Sequence, residues 1–185
     1  MIEEAQRWVR EFSPHATHLV RTEEWANELS PDASAALRLA ALTHDMERAY
    51  PEGSPHWEPG RGWDDPLYTI AHSERSARIV GDFMRDRGAG EPFVREVTRL
   101  ILFHETGGFP EADVVQAADS LSFLETMVPV VGSWVTGKLA SPEQARDRIR
   151  YAVTRIRHAQ AGTLASRLLP PAMAQLDEII ASAQA

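Results

Sequence analysis

The chain has 185 residues, 43% of them hydrophobic, so it can bury a full core and we expect a single domain over 1–185. Its formal net charge of −8 disfavours binding to a nucleic acid polymer, because the field of the whole molecule repels a phosphate backbone. A small anionic substrate remains compatible with local basic residues. The absence of cysteine excludes disulfides and thiolate metal sites, and it agrees with a reducing cytosol.

The N-terminus is acidic and amphipathic, and it lacks the basic region and apolar core of a signal peptide. The longest apolar runs are interrupted by Thr, Ser, Glu or Gly well short of a membrane span. We therefore expect a cytoplasmic protein with no membrane partner. Composition alone leaves the oligomeric state open.

The first three predicted elements are helices. Apolar residues at helical spacing predict a helix over 2–12, and a second helix runs from about 15 to 29. Ser30 is expected to cap a third helix, with Pro31 at its first position. That third helix ends in a His-Asp pair.

Residues 50–66 are predicted to form a long loop, because the stretch is too rich in glycine and proline for regular structure. Loops of this length inside compact domains are often lids or binding loops. Trp57 or Trp63 could stack on a substrate base, with Arg61 near a phosphate. The alternative is a surface insertion whose tryptophans pack on the body of the protein.

The rest of the chain also shows helical periodicity. Pro129 is expected to kink or end an apolar run over 121–135. No convincing period-2 pattern occurs, so the expected fold class is all-α. The predicted helices cover 67–87, 92–106, a segment starting near Pro110, about 141–160, and the residues after Pro170-Pro171.

The pair that ends the third helix, His44-Asp45, points to metal chemistry. Adjacent side chains on a helix diverge by about 100°, so both reach one small object only beyond the helix end or in a cleft. Histidine nitrogen and carboxylate oxygen suit Mn, Fe, Co, Ni or Zn. Taken singly, a histidine is more often a core or surface residue than a ligand, so the joint pattern carries the prediction. The other candidate metal ligands in this pattern are His18, His72, His104 and Asp119.

The order of these residues resembles the HD superfamily of metal-dependent phosphohydrolases, over about 15–125. The resemblance implies a helical bundle, on which we expect the C-terminal helices, 141–183, to pack. It also implies one or two divalent metals, with Asp45 bridging both ions. Such a pair, about 3.5–4 Å apart, can activate water and clamp a phosphoryl group. The implied ligands are His18, His44, Asp45 and Asp119 for the first ion, and His72 and His104 for the second.

The segment Phe-His-Glu-Thr-Gly-Gly around His104 and the short step to Asp119 are most similar to the bacterial symmetrical dinucleoside-tetraphosphate hydrolases of this superfamily. His15, one turn before His18, is an alternative first ligand. We prefer His18 because the residues after it resemble the family's usual first-histidine segment. Two further histidines are expected at the surface: His56 and His158.

Phosphate handling needs cations, and the arginines nearest the proposed ligands are Arg48, Arg75 and Arg78. Arg75 lies one turn beyond His72, within reach of the same cleft, so we assign it to catalysis. Arg48 and Arg78 are assigned to substrate binding. For each arginine, pairing with a carboxylate on a solvated helix face is the alternative interpretation.

Among the carboxylates, Asp45 and Glu47 are assigned to catalysis, Glu47 as a general acid or base. Glu105 could take the same role. Glu47 and Glu105 could equally be exposed carboxylates at helix ends.

The leading functional hypothesis is a metal-dependent phosphohydrolase that cleaves a nucleotide-like phosphoester or phosphoanhydride. Its main rival is a mixed-valent di-iron oxygenase, because HD-type oxygenases share the six-ligand arrangement. The short step from His104 to Asp119 favours the hydrolase. The third hypothesis is a non-catalytic domain that binds a metal or ligand.

Overall fold

The computed structural model describes residues 1–58 and 61–184. Every regular element in that part of the chain is helical, which confirms the all-α expectation. The elements are α1 (Ile2–Phe12), α2 (Ala16–Leu29), α3 (Ala35–Thr43), a short 3₁₀ helix (Met46–Ala49), α4 (Pro66–Arg85), α5 (Glu91–Leu102), α6 (Pro110–Thr126), α7 (Val128–Thr136), α8 (Pro142–Thr154) and α9 (Ala159–Gln184).

Helix α6 lies at the centre of the fold. It packs against α2, α3, α5, α8 and α9, and its residues from Val114 to Leu124 are all buried. Because neighbours surround it, α6 carries small or apolar residues on most of its faces instead of one apolar stripe. This position brings Asp119 into the interior of the protein.

Helix α3 begins later than the sequence predicted. The Ser30 carbonyl accepts the N–H of Ala33 at 2.9 Å in a turn, so Ser30 does not cap the helix. Ser34 is the cap instead, and its hydroxyl accepts the N–H of Leu37 at 3.1 Å. The predicted placement of Pro31 in the first turn was therefore wrong, because proline fits the preceding turn equally well.

Helix α5 ends at Leu102, before the predicted end at Thr106. His104 lies just past this end, and its Nδ1 hydrogen-bonds the Ile101 carbonyl at 2.7 Å. His44 does the same after α3, where its Nδ1 lies 2.9 Å from the carbonyl of Ala41. Each imidazole thus hydrogen-bonds a carbonyl in the last turn of the helix that precedes it.

The break near Pro129 is confirmed. Helix α6 ends at Thr126, and α7 starts at Val128 with Pro129 in its first turn. The two helices meet at an angle of 60°. No single helix in the described part of the chain is long and apolar enough to cross a membrane, and this bent pair passes that test only jointly, by length and composition.

The C-terminal helices differ from the prediction. Helix α8 ends at Thr154, and α9 contains Pro170 and Pro171 instead of starting after them. Each proline removes its own backbone hydrogen bond and its ring crowds the carbonyl four residues earlier, but burial on both sides of the pair offsets that loss. Helix α9 packs against α6, α7 and α8. The buried residues of α9 lie on both sides of the proline pair and are Ala161, Ala165, Ala172, Leu176 and Ile180.

The predicted loop over 50–66 is irregular in its described residues up to Asp65, and Pro66 opens α4. Its residues Pro59 and Gly60 lie outside the described part of the chain, as does Ala185. The loop runs from the 3₁₀ helix to α4, two elements that contact each other. Its ends are therefore held on the same side of the fold as His44.

Candidate metal centre

Six side chains from five helices or helix ends converge in the interior. α2, α4 and α6 each contribute one residue, and the ends of α3 and α5 contribute the others. Five of the six are buried, and Asp45 is partly exposed. The six are His18, His44, Asp45, His72, His104 and Asp119, so the residues that the sequence singled out lie together.

One part of the cluster forms around Asp119. Its Oδ1 lies 3.1 Å from His18 Nε2 and 3.5 Å from His44 Nε2. Each of these three residues offers a donor atom, and the donor atoms lie within 4.8 Å of one another. A metal ion could be held between them.

A second part forms around Asp45. Its Oδ1 lies 2.8 Å from Nε2 of His72 and 3.8 Å from Nε2 of both His44 and His104. His72 and His104 also form a group with Glu105, whose Oε1 is 3.7 Å from His104 Nε2. Asp45 therefore faces three imidazoles, and Glu105 joins the cluster as a seventh candidate donor.

All four imidazoles use Nδ1 to bond the surrounding protein. Beyond the two helix-end carbonyls, His18 Nδ1 lies 2.9 Å from the Ser122 hydroxyl and His72 Nδ1 lies 2.9 Å from Glu47 Oε1. These bonds leave Nε2 as the inward-facing donor. The Nε2 atoms of His44 and His104 are buried and have no hydrogen-bond partner in the described structure. Such unpaired nitrogens beside two carboxylates fit a divalent transition metal.

The charges in the cluster are strongly coupled. Burial lowers the pKa of His44, but the carboxylates of Asp45 and Asp119 outweigh burial and raise it to about 9. Burial lowers the pKa of His104 to about 4. Burial would raise the pKa of both aspartates, yet nearby cations, chiefly His44 for Asp45 and Arg155 for Asp119, hold it well below the usual value. Both carboxylates are thus ionised, as metal ligands must be.

Glu47 lies behind the cluster. It is fully buried, accepts a hydrogen bond from the Ser54 hydroxyl at 2.9 Å and faces Nδ1 of His72. Burial would raise the pKa of Glu47, but its bond to His72 keeps it below the usual value. Glu47 does not line the cavity described next, and its contact with Nδ1 of His72 orients that imidazole.

A cavity of about 620 Å³ opens onto the cluster. Four cluster residues form part of its wall, together with two arginines and a set of aromatic rings. His15 also lines the cavity but belongs to none of the three described ligand groups, and the exposed His56 lies in its wall. The principal wall residues are His18, Asp45, Glu105, Asp119, Arg48, Arg148, Trp57, Trp63, Tyr68, Phe123, Trp134 and Tyr151.

The two tryptophans of the loop form one side of this cavity. Trp57 and Trp63 stack with ring centroids 4.1 Å apart and an angle of 6° between their planes. Trp63 also stacks on Trp134 of α7, with centroids 5.8 Å apart. The loop thus packs its tryptophans against the body of the protein, and they face the cavity at the same time.

The four predicted arginines are placed very differently. Arg48 lines the cavity, where it bonds the Tyr68 hydroxyl and lies 3.1 Å from Glu47. Arg75 lies outside the cavity, and its Nη2 donates to the carbonyls of Tyr50 and Glu52 at 2.6 and 2.8 Å. It therefore holds the start of the loop. The other two are exposed and do not line the cavity: Arg61, 3.3 Å from Asp65, and Arg78 on α4.

Two arginines, one in α8 and one directly after its end, were missed by the sequence reasoning. Arg155 bonds the carboxylates of Asp119 and Glu105 as well as the Ser120 hydroxyl. Arg148, two turns earlier, lines the cavity with its guanidinium 3.9 Å from the centre of the Phe123 ring. The spacing of the two arginines on one helix face was the only sequence signal, and any amphipathic helix shows it.

A family model described as HD domain matches residues 16–124. The match covers more than half of the chain and contains all six converging residues, whereas α8 and α9 follow it. No curated protein and no solved structure matches the chain.

Proposed function

Because the chain belongs to the HD domain family, we propose that it is a metal-dependent phosphohydrolase acting on a nucleotide-like phosphoester or phosphoanhydride. The observation that carries this proposal is the set of imidazole Nε2 atoms that face Asp45 and Asp119 at one end of a cavity with cationic and aromatic walls. Such a cavity suits a small anionic substrate with a planar portion.

In this proposal His18, His44, Asp45 and Asp119 would hold a first ion, and His72 and His104, with Asp45 beside them, would hold a second. When bound, one or two divalent ions of Mn, Fe, Co, Ni or Zn supply Lewis acidity at the phosphoryl oxygens and at the attacking water. The buried bonds to each Nδ1 keep the imidazoles in place before any ion arrives, which lowers the cost of binding it.

Hydrolysis adds water across a P–O bond, so one proton must leave the water and one must reach the leaving oxygen. Glu105 is the cavity carboxylate suited to accept the first of these. Burial would raise the pKa of Glu105, but the guanidinium of Arg155 holds it below its usual value. Glu105 is therefore ionised at neutral pH and can act as a base.

Arg48 is the cavity cation suited to the reacting phosphate. Its contacts with Tyr68 and Glu47 fix the guanidinium beside the cluster. The stacked rings of Trp57 and Trp63 offer an apolar wall for the rest of the substrate. Arg75 supports this arrangement from outside the cavity, because it holds the loop that carries both tryptophans.

The proposal is tested with protein purified without a chelating tag. After metal analysis, a panel of nucleotides and phosphoesters is incubated with Mn²⁺ or Co²⁺ in the absence of O₂, and released phosphate is measured. We expect phosphate release with no requirement for O₂. His44→Ala should abolish turnover, whereas His158→Ala, far from the cluster in sequence and absent from the cavity wall, should leave it unchanged.

Two outcomes would contradict the hydrolase. Strict dependence on iron and O₂, with no phosphate released from any compound, would identify an oxygenase. Stoichiometric metal with neither activity would leave a domain that binds a metal or ligand without catalysis.

A further inference from the structure

Arg148 is unusual among the arginines near the cavity, because no carboxylate in the described structure pairs with it. It lines the cavity from α8, and its Nη1 atom is buried without a hydrogen-bond partner. Its guanidinium carbon lies over an aromatic ring, 3.9 Å from the centroid of Phe123. A cation–π contact of this kind leaves the N–H groups at the edge of the guanidinium free to donate.

The neighbouring arginines already have anionic or polar partners. Arg155 bonds Asp119 and Glu105, and Arg48 bonds Tyr68 and lies beside Glu47. Arg148 as a whole is partly exposed, but its Nη1 atom is buried. Removing a guanidinium nitrogen from water without a partner is costly, so this unpaired atom beside a cavity calls for a ligand. Burial lowers the pKa of Arg148, and the nearby charge of Arg155 lowers it further, whereas a bound anion would oppose both effects.

The position of Arg148 indicates what that ligand would be. The Phe123 ring that carries its guanidinium is also 6.5 Å, centroid to centroid, from the imidazole of His18. The Phe123 ring therefore lies between Arg148 and the candidate ligand His18. Trp63 and Tyr151 flank it at 5.9 and 5.7 Å. An anion bound here would lie beside both the reacting group and the aromatic wall.

We propose that Arg148 binds a second phosphate group of the substrate, distinct from the phosphoryl group that reacts at the cluster. The inference rests on the proposed function, because it assigns the same cavity to the same substrate. It narrows the substrate class to compounds with at least two phosphates and a planar portion, such as nucleoside polyphosphates. The planar guanidinium suits this role, since it can donate two parallel hydrogen bonds to phosphate oxygens.

Phosphate binding can be measured without catalysis. Inorganic phosphate is titrated into the full-length protein, both metal-loaded and after chelation, and tryptophan fluorescence is followed because Trp63 lies close to Arg148. In the chelated protein the carboxylates of the cluster repel phosphate. The phosphate affinity of the chelated protein therefore measures the contribution of the cavity arginines. We expect Arg148→Met to weaken phosphate binding at least about tenfold, as loss of charge-assisted hydrogen bonds implies.

Three comparisons sharpen the test. Arg150→Met removes an exposed arginine of the same helix, which pairs with Glu143 and Asp147, and should leave phosphate affinity unchanged. Arg148→Lys retains the charge and should keep part of the affinity. Arg148→Met should fold with an equal or higher melting temperature, because it removes an unpaired charge with a buried Nη1 atom and keeps the packing on Phe123.

Unchanged phosphate affinity in Arg148→Met, or an equal loss in Arg150→Met, would overturn the inference. So would an Arg148→Met protein that is markedly less stable or unfolded, because this would show that the cation–π contact is structural. These results are independent of turnover. A protein that hydrolyses nothing but loses phosphate binding in Arg148→Met would refute the hydrolase and retain the anion site.

Discussion

Arg155, directly after the end of α8, donates to the carboxylate of Asp119, although the two residues are 36 positions apart. The same guanidinium bonds Glu105. Both carboxylates belong to groups that could hold a metal. A residue outside the family match therefore supplies the cation that pairs with two candidate metal ligands. Asp119 consequently turns Oδ1 towards the imidazoles and Oδ2 towards Arg155.

Replacing Arg155 with Met should destabilise the metal-free protein by about 3–5 kcal/mol, because it removes the guanidinium from the buried carboxylate of Asp119 and the partly exposed one of Glu105. A bound divalent ion would restore part of the missing positive charge. The gain in melting temperature on adding Mn²⁺ should therefore be larger in Arg155→Met than in the wild type. Urea unfolding after chelation and thermal unfolding with and without Mn²⁺ measure the two effects. Arg150→Met serves as control, and equal metal-induced gains in all three proteins would contradict the argument.

Much of the cluster could be predicted from sequence, because ligand chemistry and helix ends are local properties. His44 and Asp45 are adjacent at a helix end, and a change in direction there lets both side chains face one point. His104 was expected inside its helix but lies just past the end, where it still faces inward. Small errors in helix boundaries therefore did not change which residues meet.

The partners of the charged residues were not predictable in the same way. Arg75 and Arg148 both lie on amphipathic helices, yet Arg75 holds loop carbonyls whereas Arg148 faces the cavity unpaired. Glu47 was assigned to catalysis but accepts a bond from His72 behind the cluster. Tertiary packing decides where a long side chain ends, and sequence spacing specifies only the helix face from which it starts.

Asp45 should matter most for metal content, because its Oδ1 faces the Nε2 atoms of three imidazoles. A carboxylate shared by two ions would also reduce their mutual repulsion. We expect Asp45→Ala to bind no stoichiometric metal, whereas His72→Ala should lose mainly one of two ions. Metal analysis after gel filtration measures both, with the exposed Asp82→Ala as control. Full metal content in Asp45→Ala would refute the bridging role.

Metal binding should release protons in a way that depends on the pKa of His44. This pKa is raised to about 9, so His44 is protonated at pH 7.5 in the metal-free protein and must lose a proton to offer Nε2. We expect release of at least about one proton per protein at pH 7.5, and apparent metal affinity should increase with pH up to about 9. Calorimetry in buffers of different ionisation enthalpy measures the release.

His104 provides the matched control for this experiment, because its pKa is lowered to about 4 and it is already neutral at pH 7.5. The number of protons released when the first ion binds should be the same in His104→Ala and in the wild type. An enthalpy that does not depend on the buffer at pH 7.5 would show that His44 is neutral before the ion binds.

The stacked tryptophans should contribute to substrate affinity and not to metal binding. Trp63 lies between Trp57 and Trp134 in the cavity wall, so Trp63→Ala removes the middle ring and opens the wall to water. Aromatic contacts of this kind are worth about 0.5–1.5 kcal/mol, so KM for a nucleotide should rise about two- to tenfold while metal content stays constant. Inorganic triphosphate, which has several phosphates and no planar group, is the control, because its KM should not change. Equal increases in KM for both substrates would show that the tryptophans shape the cluster or the loop and do not contact the base.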